Sequence, residues 1–372
     1  MAKLTFVPDQ LKRAFALARL VKPASGDYII KVISGTLVIH SADRRRFCRS
    51  EVKPSSTTAG DENYTSEDFY LPADRQSLFD SDLDSVSLSF TDKGMQIKAE
   101  GSGQTRQATL KKRADNSRRA TCPPRPTVSG TSVKASDFQD LLHHVACSAL
   151  VRETKTEEDM RVNQVHFYPD AECAVSNARF YASVSTLDGL ALDLSVVSSD
   201  VPLIKNFCSK FAGDIIVGQD KNHLFIADPV SHTCMFFSRV ACNKPPLTLL
   251  KDEGYKIDIL VDRAQMAKAL QWSVMAVDGT SRLSLAASGS EMSMSSKGQE
   301  LARVPVSFEL GSDFKADFPV KILNNILTYT TTEKVLLRFG HKDAPSILQI
   351  TEYDSESKAR GRHYVQSMED RK

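Results

Sequence analysis

No apolar run in this 372-residue sequence approaches the ~18 residues that a membrane-spanning helix needs. The first residues, Met1-Ala2-Lys3-Leu4-Thr5-Phe6, lack the apolar core of a secretory signal and alternate like a strand instead. A cytoplasmic protein is expected. Paired cysteines are missing too. The seven cysteines are scattered, with no CxxC, so neither a zinc ribbon nor a disulfide framework is indicated. They read as small buried apolar residues. Catalytic signatures are equally scarce: there is no GxSxG, no Walker A loop and no HExxH. His143-His144 has no Glu or second His at metal-binding spacing. Gly101-Ser102-Gly103 is followed by Arg106 where a dinucleotide loop needs its third glycine. Glu157-Glu158-Asp159 lies in a charged run. No enzyme, no cofactor and no metal are expected.

What is present is an ordinary globular composition, 41% apolar and 25% charged. The length suits two or three domains. The net charge of +2 hides two basic clusters. One is Arg44-Arg45-Arg46 with Arg49. The other runs from Arg106 to Arg125, with seven basic residues and Asp115 as the one acid. Each reads either as a solvated face or as a surface for a polyanion.

The strongest signal is repetition, which decides architecture before any local feature does. Leu11 with Ala14-Phe15, Phe138 with Leu141-Leu142, and Met266 with Ala269-Leu270 share the i, i+3, i+4 spacing of a core-facing helix. They recur after 127 and 128 residues. A second helix is predicted to open at an apolar-Pro pair in each period: Leu71-Pro72, Val201-Pro202 and Phe318-Pro319. The prolines recur after 130 and 117 residues.

In the first period a helix is predicted from Pro8 to about Val21, then strands over 28–32 and 36–40 and a polar loop over 53–68. A helix with Leu78, Phe79 and Leu83 on one face follows, then strands over 86–90, 95–99 and 105–110. Residues 114–130 and Asn243-Lys244-Pro245-Pro246 read as linkers. The fold class is therefore α+β: three similar domains, 1–126, 127–251 and 252–372, each of two helix-plus-antiparallel-sheet half-modules. An amphipathic helix laid on a sheet buries both apolar faces, and closure into a ring would remove the remaining sheet edges.

This organisation, and the segment Phe318-Pro319-Val320-Lys321-Ile322-Leu323-Asn324-Asn325-Ile326-Leu327, resemble the bacterial DNA polymerase III beta subunit, the DNA sliding clamp. The segment is similar to the family's FNVKYLLDVL, and Gly35-Thr36-Leu37-Val38-Ile39 to its GTLSL strand. The second-domain order, a Val-Pro helix and then strands, is matched from Val201 to Arg239. The resemblance covers nearly the whole chain. It implies the DNA clamp fold, helices inside and sheets outside a head-to-tail homodimeric ring around double-stranded DNA. The function implied is that of a non-enzymatic processivity factor, loaded by a clamp loader, that tethers the replicative DNA polymerase. The alternative is a non-enzymatic structural or scaffold protein of repeated β-rich modules.

Sequence-independent attraction to phosphate calls for basic side chains on the helices. The candidates are Lys12, Arg13, Arg19, Lys22, Arg75, Lys134, Lys205, Lys210, Arg263, Lys268 and Lys321. The resemblance also implies a pocket for a partner peptide at Ser176, Arg179, Phe180, Pro245, Leu249, Leu250, Ile347, Val365 and Ser367. The family's DGHRLA reads Asn177-Ala178-Arg179-Phe180-Tyr181-Ala182 here. Its Met-Pro-Met-Arg-Leu end is replaced by Ser367-Met368-Glu369-Asp370-Arg371-Lys372. Such departures suit a bacteriophage-encoded clamp.

Overall fold

The computed structural model describes residues 2–58, 63–73, 83–91, 94–110, 123–126, 130–146, 163–177, 181–247, 250, 253–277, 282–342, 345–353 and 359–367. Pro8 opens α1 (Pro8–Ala18) at a position whose N–H would have no helical partner. Leu11, Ala14, Phe15 and Ala18 are buried along its inner stripe. On α2 (Ala135–Ala146) the buried stripe is Phe138, Leu141, Leu142 and Val145. The shorter α3 (Val201–Cys208) buries Val201, Ile204 and Phe207. On α4 (Arg263–Ala276) Met266, Ala269 and Leu270 are buried, and Asp262 caps the helix by accepting the Gln265 N–H at 2.8 Å. The last helix among the described residues is α5 (Val320–Tyr329). All three recurring helix stripes therefore face a core.

The chain forms two compact units, residues 1–135 with 206–239 and residues 136–205 with 240–372. The first contains a five-stranded sheet in the order β5 (Ser56–Thr57), β1 (Lys3–Phe6), β7 (Ser85–Thr91), β8 (Gly94–Gly101), β9 (Gln104–Leu110). Its second sheet has eight strands: β10 (Thr131–Lys134), β15 (Asp214–Gln219), β16 (His223–Asp228), β17 (Thr233–Ser238), β4 (Arg46–Val52), β3 (Thr36–Ala42), β2 (Asp27–Ile33), β6 (Phe69–Pro72). Met235 of β17 lies opposite Cys48 of β4, so strands of the first and middle sequence repeats share this sheet. Leu11 and Phe15 of α1 join Leu4, Ile30, Leu37 and Leu88 in one core.

The second unit is built on twelve strands: β14 (Ser195–Val197), β11 (Gln164–Tyr168), β12 (Cys173–Asn177), β13 (Tyr181–Thr186), β25 (Ala359–Gln366), β24 (Ile347–Tyr353), β23 (Lys334–Phe339), β18 (Ile257–Asp262), β21 (Gln299–Leu310), β20 (Glu291–Ser296), β19 (Arg282–Ser288), β22 (Asp313–Pro319). Tyr181 lies opposite Val365, which joins the middle and last repeats. The long β21 has two neighbours in turn: its second half pairs with β18 and its first half with β20. Met266 and Leu270 of α4 and Leu323, Ile326 and Leu327 of α5 pack with Ile259, Leu285 and Leu337.

The apolar-Pro pairs take two positions. Val201-Pro202 lies in the first turn of α3, whereas Leu71-Pro72 ends β6 and Phe318-Pro319 ends β22, with Pro319 the extended N-cap residue of α5. Both strands lie at sheet edges, where a residue without an N–H removes no ladder bond. Phe314 and Phe318 alternate inward along β22, a period of two that the neighbouring helix pattern masked. The predicted helical positions Leu78 and Phe79 lie outside the described residues, as do the charged loop 152–161 and most of the linker over 114–130.

The cluster at Arg44–Arg49 also proves to be partly a central strand, β4, which buries Phe47, Cys48, Ser50 and Val52. Arg49 is held by Glu51 at 2.8 Å and places its Nη1 3.4 Å from Nε2 of buried His40. Burial, then the Arg49 charge, push the His40 imidazole down to about 3 from its ordinary 6.5. The unfolded chain thus takes up a proton that the folded chain refuses. The stabilisation from neutral His40 is complete above 6.5 and is lost as pH falls from there towards 3, at up to about 1.4 kcal/mol per pH unit. Denaturant unfolding at pH 7 and pH 5 should show His40→Gln losing about 2 kcal/mol less than the parent on acidification. Equal losses would mean that His40 is already charged in the folded protein.

Candidate functional sites on the helices and on the opposite sheet face

In the first unit Lys12, Arg13, Arg19 and Lys22 all lie exposed on or just after α1. Arg13 comes within 3.9 Å of the buried carboxylate of Asp228. Lys134, at the end of β10, and Lys210, just after α3, are exposed as well. Arg75 lies outside the described residues.

In the second unit Lys268 of α4 and Lys321 of α5 are exposed, while Arg263 and Lys205 are half-buried. Lys205 is engaged with other side chains. Its ammonium donates to Nδ1 of His143 at 2.9 Å, and Nε2 of the same ring donates to the Tyr329 carbonyl at 2.7 Å. That arrangement requires a neutral ring protonated at Nε2. Burial first, then the Lys205 charge, lower the His143 pKa, and burial lowers that of Lys205. The trio ties α2, α3 and α5 together. A diffuse cationic surface of this kind attracts phosphate and reads no base.

The other face of the twelve-stranded sheet carries an apolar patch. Cys173, Val175, Val184 and Tyr364 form its base, with Tyr168, Leu247, Leu250 and Ile347 packed against them. The segment from Asn243 to Leu247 is fastened beside it. The Tyr168 hydroxyl donates to the Pro245 carbonyl at 2.5 Å, and the Lys244 ammonium donates to the Phe167 carbonyl at 2.6 Å and pairs with Asp193. Lys244 also sits 5.0 Å over the Tyr168 ring. Burial raises the Tyr168 pKa, so its hydroxyl stays a donor.

Of the predicted pocket residues, Pro245, Leu250 and Ile347 meet at this patch. Ser176 and Val365 do not. The Ser176 hydroxyl donates to the Val145 carbonyl of α2, and Val365 lies in the core beneath α4 and α5. Successive strand residues point to opposite faces, so the neighbours Val175 and Tyr364 occupy the patch instead. Ser367 is buried, its N–H on the Ser346 carbonyl at 2.7 Å. Arg179, Phe180 and Leu249 lie outside the described residues. Sequence reasoning missed Tyr168, Val175, Leu247 and Tyr364. Cys173-Ala174-Val175-Ser176 is buried on both faces, so no polar alternation marked which side each residue takes.

No protein-family model matches this sequence, and no curated protein matches it. Solved structures do match along the full chain. The DNA polymerase III subunit beta of Pseudomonas aeruginosa aligns at 14% identity over 99% of this chain and 100% of that one, with a TM-score of 0.77. The beta subunit of Thermotoga maritima aligns at 18% identity over 100% of both chains, TM-score 0.72. The beta sliding clamp of C. crescentus aligns at 13% identity over 99% of this chain and 100% of that one, TM-score 0.73. The chain therefore has the sliding-clamp fold from end to end.

Proposed function

We propose that this chain is a DNA sliding clamp, a non-enzymatic processivity factor that encircles duplex DNA and tethers a replicative polymerase. The observation that carries this reading is the full-length clamp fold with exposed cations on or beside the helices. In this reading the chain has three domains, 1–126, 127–251 and 252–372, and two copies close head to tail. Three features support the closure. Among the described residues β9 pairs only with β8, and the first half of β21 only with β20, so each presents an open edge. Trp272 and Met275 stand exposed on α4, which packs against β21. Pairing β9 of one copy with β21 of the other would satisfy both edges and cover both side chains.

The apolar patch around Tyr168, Val175, Ile347 and Tyr364 is the proposed seat for an apolar peptide of the polymerase or clamp loader. The working compartment is the cytoplasm of a bacterial cell, or of one infected by a phage that encodes the protein.

Substituting Lys12, Arg19, Lys268 and Lys321 by Gln together tests the helical face. Retention on DNA should weaken alike on unrelated sequences. The slope of log affinity against log salt should flatten by about 0.9 for each phosphate left without its cation. A slope equal to the parent's would remove these helices from DNA contact.

A further inference from the structure

A polar cluster inside the second unit takes no part in the proposed clamp function. His144 lies in the last turn of α2, while Glu352 and His363 lie on the paired strands β24 and β25. All three are buried, Glu352 and His363 at 0% exposure. Nδ1 of His144 and Nε2 of His363 approach the same oxygen, Oε1 of Glu352, at 3.0 and 2.9 Å. The three donor atoms lie within 4.8 Å of one another. Each of the two strand residues is also held from behind. Nδ1 of His363 meets the Ser183 hydroxyl at 2.8 Å, and the Thr331 N–H donates to Oε2 of Glu352 at 3.1 Å. Gly361 lies directly opposite Glu352. A Cβ there would stand 3.0 Å from the His144 ring and 3.1 Å from Oε1, so glycine is what lets the helix histidine reach the carboxylate.

The charge balance is what makes this cluster unusual. No lysine or arginine pairs with Glu352 among the described residues. Its partners are the two imidazoles, and a buried carboxylate persists only where such partners or a metal ion offset its charge. Two imidazoles and a carboxylate are a borderline donor set that suits zinc. Donor atoms on a tetrahedral zinc sit roughly 3.3 Å apart, given bonds of about 2.0 Å, close to the two separations seen here. Ligands fixed through their far atoms are the usual outer shell of such a site.

We propose that His144, Glu352 and His363 bind one zinc(II) ion, which fastens α2 to the β24–β25 pair. The fourth position of the tetrahedron falls to a water or to the second carboxylate oxygen. Because the donors are enclosed, the ion would enter as the chain folds. The site does not depend on the clamp reading, since none of the residues proposed to meet DNA or peptide belongs to it.

The test uses the full-length protein refolded in metal-free buffer with cobalt(II) or zinc(II) chloride alone. Cobalt should bind at about one ion per chain with the visible absorption of a tetrahedral site, and zinc should displace it. His363→Gln should abolish the absorption. Ser183→Ala should weaken zinc binding by about 10–100-fold, and His143→Gln, at the neighbouring ring, should leave it unchanged. Absence of cobalt absorption in the folded wild-type protein overturns the proposal, whatever the variants do. Equal binding by wild type and folded His363→Gln would place the ion elsewhere and also overturn it.

Discussion

Trp272→Arg combined with Met275→Glu should reduce the proposed two-chain ring to a monomer of unchanged fold. Both side chains project from the side of α4 opposite its buried Met266 and Leu270, with Trp272 60% and Met275 74% exposed. In the isolated chain both face solvent, so replacing them leaves the core intact. Surface substitutions of that kind change folding stability by about 0.5 kcal/mol or less. In a closed ring each would be covered beside the β9–β21 junction. Burying a large apolar side chain contributes about 1.5–3 kcal/mol, so losing both should weaken association by roughly 10²- to 10⁴-fold. Sedimentation would report the mass, and a thermal melt monitored by circular dichroism would report the fold. A variant that sediments as the parent does would remove α4 from the interface.

The second large effect lies within α5. Leu323 is fully buried with Val320, Ile326 and Leu327 against the sheet, whereas Lys321, two residues earlier, is exposed. Leu323→Asp would place a carboxylate among apolar side chains with no partner. The expected loss exceeds about 4 kcal/mol, enough to unfold the second unit. Lys321→Ala should leave stability within about 0.5 kcal/mol and only reduce the salt dependence of DNA retention. Urea denaturation of the two variants separates these outcomes. Comparable losses at the two positions would mean that α5 is rotated relative to its sheet.

The helix stripes were legible in the sequence because burial on one side of a helix imposes a 3.6-residue period that few other patterns imitate. Leu11, Phe138 and Met266 therefore align across the chain by spacing alone. The prolines were ambiguous. An apolar-Pro pair suits the end of an edge strand as well as the start of a helix, and Pro72 and Pro319 take the strand role. β4 was hidden by its arginines, whose charges are absorbed in part by Glu51 and Asp43.

At the patch, β12 and the end of β25 are each buried on both faces, so sequence alternation could not separate Val175 from Ser176 or Tyr364 from Val365. The proposed zinc donors were out of reach for a different reason. His144 and Glu352 are 208 residues apart and meet only because strands of the middle and last repeats share one sheet. Local spacing rules for metal ligands cannot see such a pair. Lys205 was legible as a cation but not as one committed to His143, since that contact joins two helices 62 residues apart.

The central claim is that two copies encircle DNA, and DNA topology tests it most directly. Protein loaded on a nicked circular duplex should remain bound through gel filtration at moderate salt. It should be released when a restriction enzyme linearises the circle, because a ring slides off a free end. Blocking both ends with a bulky bound protein should restore retention. Retention that is indifferent to linearisation would contradict the ring, however well the chain bound DNA.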